Sequence, residues 1–501
     1  MTVMRLKFLP GLLLLAVLAA CNHNDHPFPH EQAVDFTEIS STDLGELGAA
    51  EISAFDPATK KLFTVTNSGS STQIDVIDLS NPAVPVRLGS IDISPYGGGV
   101  NSVDVRDGKL AAAIEGFVKT DAGKVVIFKT TDHTVIKQVT AGALPDMLAY
   151  SHDGKYILSA NEGEPSIDYT NDPLGTVSII SVKDDYAVTT LDFSGFASQQ
   201  TALMAKGLRV FGPGASFAQD IEPEYLTISQ DSRTAWVTLQ ENNAIAKIDI
   251  RTKRITDILP LGFKSYNLDA NAIDPSDKDN GINLRKVNIK SMYQPDGIAM
   301  FENGGLPFLF TANEGDVREY DAFAENKRIK DLALDAIAFP DGAELKKDIS
   351  LGRLNVTNTM GDKDGDGDYD ELYSFGARSF SVWNGYNGKL IYDSRNDLEN
   401  KVIEAGKYDD GRSDDKGVEA EGVTLGYIGK KIIAFVGMER ADAVALYDVT
   451  NPYSPSFIKL LSTGDAPEGL LFIPAKDSPT KKSLLVVSSE NDGTVKVYQI
   501  N

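Results

Sequence analysis

The sequence has few of the residues on which many catalytic and redox sites depend. It contains one cysteine, Cys21, so no disulfide can form within the chain. Three of its five histidines lie in the polar segment 23–30, and His133 and His152 lie in turn-like positions of repeating units. We therefore expect neither a Ser-His-Asp triad nor a zinc site built on histidine. No phosphate-binding or dinucleotide-binding glycine motif is present either.

Positive charge is also scarce. The chain has 48 lysines and arginines against 72 aspartates and glutamates, which gives a formal net charge of −24. Nucleic acids bind to basic surfaces, so we expect no nucleic-acid partner. An acid excess suits a secreted or surface protein that binds cations.

The N-terminus has the features of an export signal. Two basic residues precede an apolar run that is too short to span a bilayer. The run ends at Leu18-Ala19-Ala20-Cys21, which resembles the lipobox of bacterial lipoproteins. The resemblance implies that residues 1–20 are a lipoprotein signal peptide and that residues 21–32 form a tether lipidated at Cys21.

This lipobox resemblance also implies a location. It places the protein in the bacterial cell envelope, attached to a membrane through its lipid. Asn22 follows the cysteine, which in Gram-negative bacteria implies sorting to the outer membrane. An ordinary secretion signal that happens to contain a cysteine is the alternative.

An acidic residue recurs at two fixed places in a unit that occurs seven times. Each set contains six carboxylates and one asparagine. The first place opens a short apolar strand: Glu51, Asn101, Asp146, Glu224, Asp296, Glu421 and Glu468. The second place ends the next strand: Asn67, Glu115, Glu162, Glu241, Glu314, Glu439 and Glu490.

The spacing of these units predicts the fold. Three of the six spacings between units are about 45–50 residues, and the longer ones contain insertions. The units contain β-rich runs separated by Asp-Gly or Asn-Pro turns, which is typical of four-stranded propeller blades. We therefore predict an all-β, seven-bladed β-propeller over residues 33–501. The last unit lacks a fourth strand, and residues 33–39 are expected to supply it and close the ring.

Strand direction places both acidic positions on one face, around the mouth of the central channel. The large insertions are expected on that face too: residues 186–221, residues 263–294, and residues 317–377 within the fifth blade. Residues 321–339 of the last insertion are expected to be helical. Loops on a rigid scaffold are a common place for function.

The sharpest local motif is an aspartate-rich loop in the fifth-blade insertion. Its aspartates occupy alternate positions around Gly367, as at the start of an EF-hand calcium loop. Position 12 is Tyr373 rather than glutamate, so Glu371 or an outside residue would complete the shell. We predict Ca²⁺ binding by Asp362, Asp364, Asp366, Asp368, Asp370 and Glu371, with a solvated acidic turn as the alternative. A second acidic segment, 274–281, fits a capped turn better than a metal site.

The channel mouth is the other candidate site. Clustered carboxylates raise one another's pKa or bind a cation, and calcium or magnesium suits oxygen ligands. The candidate ligands are Glu162, Glu164, Glu314, Glu421, Glu439 and Glu468, and a second divalent metal fits this set. Arg378, Arg440 and Lys416 are candidate catalytic residues that would hold a phosphate or carboxylate. The alternative is a ring of salt bridges that orders the turns.

Several motifs resemble those of the choice-of-anchor I family of bacterial surface propellers, over nearly all of the mature chain. They are Gly142-Ala143-Leu144-Pro145-Asp146, Ala160-Asn161-Glu162-Gly163-Glu164-Pro165, Tyr293-Gln294-Pro295-Asp296, the segment 362–380 and Ser413-Asp414-Asp415-Lys416-Gly417. Members are often labelled alkaline phosphatase-like, and some resemble metal-dependent phosphatases built on propellers. The resemblance therefore implies either of two functions.

The sequence favours a lipid-anchored, calcium-binding propeller that binds an unknown small molecule or protein through its acidic face. The alternative is a metal-dependent phosphoesterase that uses the same carboxylates. We expect a monomer in either case.

Overall fold

The computed structural model describes residues 31, 34–45, 47–68 and 71–501. The predicted signal peptide, Cys21 and nearly all of the predicted tether lie outside the described residues. Within the described part of the chain, no helix is long and apolar enough to cross a membrane.

One strand, β1 (Phe36–Asp43), precedes four sheets that each contain four consecutive antiparallel strands. Sheet 1 contains β2 (Ala49–Asp56), β3 (Lys61–Ser68), β4 (Ser71–Asp78) and β5 (Val86–Asp92). Sheet 2 contains β6 (Val100–Arg106), β7 (Lys109–Ile114), β8 (Ala122–Lys129) and β9 (Val135–Ala143). Sheet 3 contains β10 (Pro145–Tyr150), β11 (Tyr156–Asn161), β12 (Thr176–Ser181) and β13 (Ala187–Asp192). Sheet 4 contains β14 (Leu226–Ile228), β15 (Thr234–Leu239), β16 (Ala244–Asp249) and β17 (Arg254–Pro260).

The remaining strands include several short ones in insertions. Between sheets 4 and 5 lie β18 (Phe263–Ser265) and β19 (Lys290–Met292). Sheet 5 begins with β20 (Ile298–Asn303) and β21 (Leu306–Asn313). Its insertion contains β22 (Glu319–Tyr320), β23 (Phe323–Ala324), β24 (Asn326–Arg328), β25 (Asn355–Thr357) and β26 (Tyr373–Ser374). Sheet 5 then ends with β27 (Ser379–Asn384) and β28 (Leu390–Asp393).

The last two sheets complete the chain. Sheet 6 contains β29 (Ala420–Ile428), β30 (Lys431–Met438), β31 (Ala443–Asp448) and β32 (Ser456–Ser462). Sheet 7 contains β33 (Pro467–Ile473), β34 (Leu484–Ser489) and β35 (Thr494–Ile500), and its fourth strand is β1. This N-terminal strand pairs antiparallel with β35, from Phe36 opposite Ile500 to Asp43 opposite Thr494. The predicted closing strand is therefore confirmed, although it covers residues 36–43 rather than 33–39.

The described residues contain few helices. The α-helices are α1 (Gln200–Met204), α2 (Phe217–Asp220), α3 (Gly342–Leu345) and α4 (Asp397–Glu404). Short 3-10 turns occupy Val182–Asp184, Ser194–Gln199, Asp269–Asn271, Ile329–Asp331, Asp410–Arg412 and Glu439–Ala441.

Two details of the predicted insertions are wrong. The expected helix over residues 321–339 is absent, because that backbone forms β23 and β24, and β24 pairs with the distant strand β25. Its apolar residues Ile329 and Leu332 pack with Leu354 in a small core of the insertion. The connection expected from residue 186 begins only after Asp192, because residues 187–192 form the outer strand of sheet 3.

The apolar cores lie between neighbouring sheets, as the alternation of each strand requires. Phe63 of sheet 1 and Val103 of sheet 2, for example, share one core. The innermost strands β2, β6, β10, β14, β20, β29 and β33 contact one another in this order, and β33 contacts β2. The protein is thus all-β and of the β-propeller type, built from four-stranded sheets.

Candidate functional site

The register of the two inner strands brings the two acidic positions together. In sheet 3 the start of β10 pairs with the end of β11, so Pro145 lies opposite Asn161. In sheet 6 Ala420 lies opposite Met438, and in sheet 7 Pro467 lies opposite Ser489. In each of these three sheets the acid at the start of the first strand therefore lies beside the acid that follows the second.

These acids converge on a cavity of about 140 Å³, which we call the mouth. Its acidic lining consists of Asp146, Glu224, Asp296, Glu314, Glu421 and Glu468, and Asn101 lies beside them. Five of the six are first-position acids of the repeat. Among the described residues, no lysine, arginine or histidine lines this cavity.

Three of the mouth residues approach most closely. One carboxylate oxygen from each of Asp296, Glu314 and Glu421 lies within 4.8 Å of the others. Calcium binds oxygen at about 2.3–2.6 Å, so a single ion could contact all three. The sequence prediction included Glu314 and Glu421 but omitted Asp296, although it occupies the same repeat position as Glu421.

Burial and mutual repulsion make the charged form of these acids costly. Burial, together with neighbouring carboxylates, raises the pKa of Asp296, Glu421 and Glu468 well above the ordinary value. Within the described residues, the buried Oε2 atoms of Glu224 and Glu421 have no hydrogen-bond partner. A bound cation would remove both penalties.

The raised pKa values predict how stability depends on pH without metal. A carboxyl whose pKa is raised by folding stabilises the protein below its ordinary pKa of about 4, and this contribution is lost as pH rises through the raised pKa. Burial and nearby acids raise the pKa of Asp146 to about 7 and that of Glu51 to about 8. The chelated protein should therefore become less stable as the pH rises from about 4 to 8.

A single substitution isolates this pH effect. In chelator, the melting temperature of Glu468→Gln should rise relative to wild type from pH 5 to pH 8, because the variant lacks one such group. Differential scanning calorimetry would measure the difference, in which most other titrations cancel. A difference that stays constant with pH would contradict the assignment.

A second acidic group at the mouth already has protein cations. Glu314, Glu419 and Glu439 present oxygens within 4.8 Å of one another. Lys416 pairs with Glu314 at 2.6 Å and with Glu419 at 3.2 Å. Arg440 pairs with Glu439 at 2.8 Å. The salt-bridge interpretation fits this group, and two candidate catalytic residues, Lys416 and Arg440, belong to it.

The third candidate catalytic residue lies elsewhere. The Arg378 side chain is only 2% exposed and pairs with the buried Glu399 at 3.1 Å. It also donates hydrogen bonds to the carbonyl oxygens of Asp274, Ser413 and Asp415. The structure therefore does not bring Arg378 together with the mouth acids, and its contacts are those of a packing residue.

Two predicted ligands form contacts outside the mouth. Glu164 pairs with Lys119. Glu162 lies with Glu222 and Glu241, and one oxygen of each lies within 4.8 Å of the others. Sequence reasoning missed Glu222 as a ligand. A signal was present, because Glu222 precedes Glu224 by the same two residues that separate Glu419 from Glu421.

The aspartate-rich loop is largely exposed and connects β25 to β26, and no helix pair among the described residues flanks it. Asp362, Asp364 and Asp370 present oxygens within 4.8 Å of one another, whereas Asp366 and Asp368 stand outside this group. Asp362 accepts hydrogen bonds from the backbone N–H groups of Gly365 and Gly367 at 2.7 and 3.1 Å. These bonds shape the turn.

Glu371 does not face this group. Its carboxylate pairs with Lys290 at 2.8 Å and Lys363 at 2.6 Å, and Tyr373 donates a hydrogen bond to it. Burial opposes ionisation, but these three contacts outweigh it and lower the pKa of Glu371 to about 2. Segment 274–281 likewise forms a turn with its own partners: Asp277 pairs with Arg353, and Asp279 with Arg285.

The loop geometry predicts unequal roles for its aspartates. Asp364→Asn should weaken calcium binding at the loop about tenfold or more, since it removes one of three clustered charges, a change of at least about 1.4 kcal/mol. Asp368→Asn is the matched control, with the same chemical change outside the group. Calorimetric calcium titration would compare them, and equal losses would contradict the assignment of the three ligands.

Comparisons with known proteins agree with this architecture. The family described as "Choice-of-anchor I domain" matches residues 51–452. Gigasin-3a of Magallana gigas is 30% identical over 190 residues, which are 31% of this chain and 66% of that protein. The mesenchyme-specific cell surface glycoprotein of Strongylocentrotus purpuratus is 24% identical over 385 residues, 65% of this chain and 47% of that protein. The chain thus spans less than two thirds of either relative.

Solved structures with a similar fold are distant in sequence. Hydrazine synthase of Kuenenia stuttgartiensis aligns with a TM-score of 0.50 and 12% identity, over 91% of this chain and 97% of that one. The β-propeller domain of Myceliophteria thermophila Cps50 (Swd1) aligns with a TM-score of 0.44 and 8% identity, over 92% of this chain and 100% of that one. At such identities the likeness concerns the fold alone.

Proposed function

Because the chain belongs to the choice-of-anchor I family, we propose that it is a lipid-anchored surface propeller that binds calcium at its mouth and a ligand through that calcium. The family itself indicates a cell-surface protein. One observation carries the proposal: six carboxylates line a single cavity that has no basic side chain among its described lining residues. Such a cavity is a cation site by its chemistry.

We infer seven blades. The inference is supported by seven four-stranded sheets among the described residues. It is also supported by the contacts of their innermost strands, which return from β33 to β2. A ring of this kind directs all the first-position acids toward one axis, which explains why residues far apart in sequence share one cavity.

Calcium at the mouth would be held by Asp296, Glu314 and Glu421, with Glu224 and Glu468 close by. Ca²⁺ takes six to eight oxygen ligands, so a site with three nearby carboxylates leaves positions for water or a ligand oxygen. The ligand class that fits is a carboxylate or phosphate, on a small molecule or on a protein. A second Ca²⁺ would be bound by Asp362, Asp364 and Asp370 of the aspartate-rich loop.

The anchor proposal rests on the N-terminal sequence. Lipidation at Cys21 would attach the propeller to a membrane of the bacterial cell envelope, and Asn22 favours the outer membrane. Residues 22–32 would then separate the propeller from the lipid surface. Labelling with radioactive palmitate, in wild type and in Cys21→Ser, tests this part: label in the wild type alone supports it.

A metal-dependent phosphoesterase is the second candidate function, and the position of Arg440 favours it. Its side chain is 34% exposed and pairs with Glu439 beside the mouth, so it could hold a phosphate oxygen. The small volume of the mouth argues against this function, since most small-molecule pockets measure about 300–1,000 Å³. Binding of an ion and a protruding ligand group fits the volume better.

One experiment separates the two functions. The purified protein is chelated, calcium is restored, and hydrolysis of a phosphomonoester and a phosphodiester is measured beside calcium binding by calorimetry. We expect calcium binding that weakens in Glu314→Gln but not in Glu302→Gln, an exposed control, and no turnover. Turnover that calcium restores and Glu314→Gln abolishes would instead establish the phosphoesterase.

A further inference from the structure

A second carboxylate group lies deeper than the mouth, and we call it the side cluster: Glu162, Glu222 and Glu241. These residues are 9%, 1% and 3% exposed. Glu162 follows β11 of sheet 3, Glu222 lies in the connection before β14, and Glu241 follows β15 of sheet 4. The side cluster therefore joins two sheets and the connection between them.

The protein supplies too little positive charge to neutralise this cluster. Arg318 pairs with Glu222 at 2.7 Å and with the buried Asp220 at 2.5 Å. Four buried carboxylates thus share one guanidinium group. Two other nearby cations are already paired, Lys119 with Glu164 and Arg209 with Glu325, and Arg209 donates only to the backbone carbonyl of Glu241. Buried charges persist only when they are paired or bind a metal.

Glu162 gives an independent indication of a missing ligand. Its side chain is about nine-tenths buried, and its carboxylate points into the side cluster. Within the described part of the chain, this carboxylate accepts no hydrogen bond and forms no ion pair. The acidic group of Glu314, Glu419 and Glu439 differs in this respect, because Lys416, Arg412 and Arg440 all pair with it.

We propose that Glu162, Glu222 and Glu241 bind a divalent cation, calcium by its ligand chemistry, at a site distinct from the mouth. One oxygen of each lies within 4.8 Å of the others, close to twice the usual calcium–oxygen distance. Arg318 occupies one oxygen of Glu222, so the three carboxylates can supply up to five oxygens. The side cluster shares no ligand with Asp296, Glu314 and Glu421, so the two sites can be tested separately.

The cation would add a link between sheets 3 and 4 and the connection that joins them, which already share an apolar core. Glu222 belongs to the connection between sheets 3 and 4, and Arg318 belongs to the insertion of sheet 5. Arg318 donates to the Asp220 carbonyl oxygen at 2.8 Å as well as to the Asp220 and Glu222 carboxylates. A metal held by Glu222 would therefore stabilise the connection between sheets 3 and 4 and, through Arg318, the insertion of sheet 5.

Metal content of matched variants tests the proposal. Wild type, Glu241→Gln, Glu421→Gln and the double variant are equilibrated with Ca²⁺, freed of unbound ion, and analysed by mass spectrometry of the metal. Glu241→Gln should lose one equivalent and keep the mouth ion, and Glu421→Gln should lose a different one, so that the double variant loses two. A Glu241→Gln protein with the wild-type calcium content would overturn the proposal, because the Glu241 carboxylate would then hold no ion. No loss in Glu421→Gln alone would count against the mouth site instead.

Terbium luminescence covers the case in which Glu241→Gln does not fold. Tyr169 and Tyr320 stack edge to face, with ring centroids 5.3 Å apart. Burial, together with nearby acids that include Glu222, raises the pKa of both hydroxyls. These tyrosines should sensitise Tb³⁺ bound there, whereas Tyr225 lines the mouth. The Tyr169→Phe/Tyr320→Phe protein should lose one calcium-displaceable fraction of emission that Tyr225→Phe retains. Unchanged emission in the Tyr169→Phe/Tyr320→Phe protein would overturn the proposal.

Discussion

Removing divalent cations should lower the free energy of unfolding by about 4 kcal/mol relative to calcium at a thousand times its Kd, if only the mouth ion contributes. The reason is that folding places Asp296, Glu314 and Glu421 within contact distance of one ion, an arrangement that the unfolded chain lacks. Urea denaturation in chelator and in calcium would measure the difference.

Two variants make this prediction specific. Glu421→Gln should lose the part of the calcium response that the mouth ion supplies, because it removes a ligand whose buried Oε2 has no other partner among the described residues. The parts supplied by the loop and by the side cluster should remain. Glu302→Gln removes an exposed carboxylate from β20 and should respond as wild type does. Equal stability of the wild type with and without calcium would contradict a metal-binding mouth.

Arg378→Met should destabilise the fold by about 3–5 kcal/mol, since breaking a buried ion pair leaves an unpaired charge behind. The carboxylate concerned is that of Glu399, which is fully buried and pairs with Arg378 at 3.1 Å. The three carbonyl oxygens that accept from the guanidinium would also lose their donor. Urea denaturation again gives the free energy.

The same variant separates a packing role from a catalytic one. Arg378→Met should keep the calcium affinity of the mouth, measured by calorimetry, even though it is less stable. Arg251→Met, an exposed arginine at the end of β16, is the control and should change stability little. Near-normal stability combined with a loss of calcium binding or of turnover would instead return Arg378 to the functional site.

The repeat predicted much of this protein because it determines strand register. The last unit lacks a fourth strand, and the N-terminal strand β1 supplies it by pairing with β35, as the repeat predicted. Once seven units are aligned, the first position of each lies on the same axis. This is why Asp146, Glu224 and Glu421, which are far apart in the chain, could be expected at one mouth.

The remaining features depend on contacts that have no repeat. Glu222 belongs to a connection, and only the fold places it beside Glu162 and Glu241. Arg378 lies in the segment 362–380, and its partner Glu399 comes from α4, which is not part of any blade strand. In segment 321–339, β23 pairs with β22 and β24 pairs with the distant strand β25, and this pairing outweighs local helix propensity.

The most direct test of the account is a crystal structure with calcium, in which the anomalous signal locates the ions. We predict a peak within about 2.3–2.6 Å of carboxylate oxygens from Asp296, Glu314 and Glu421. A mouth that contains only water at saturating calcium would contradict the cation-binding propeller.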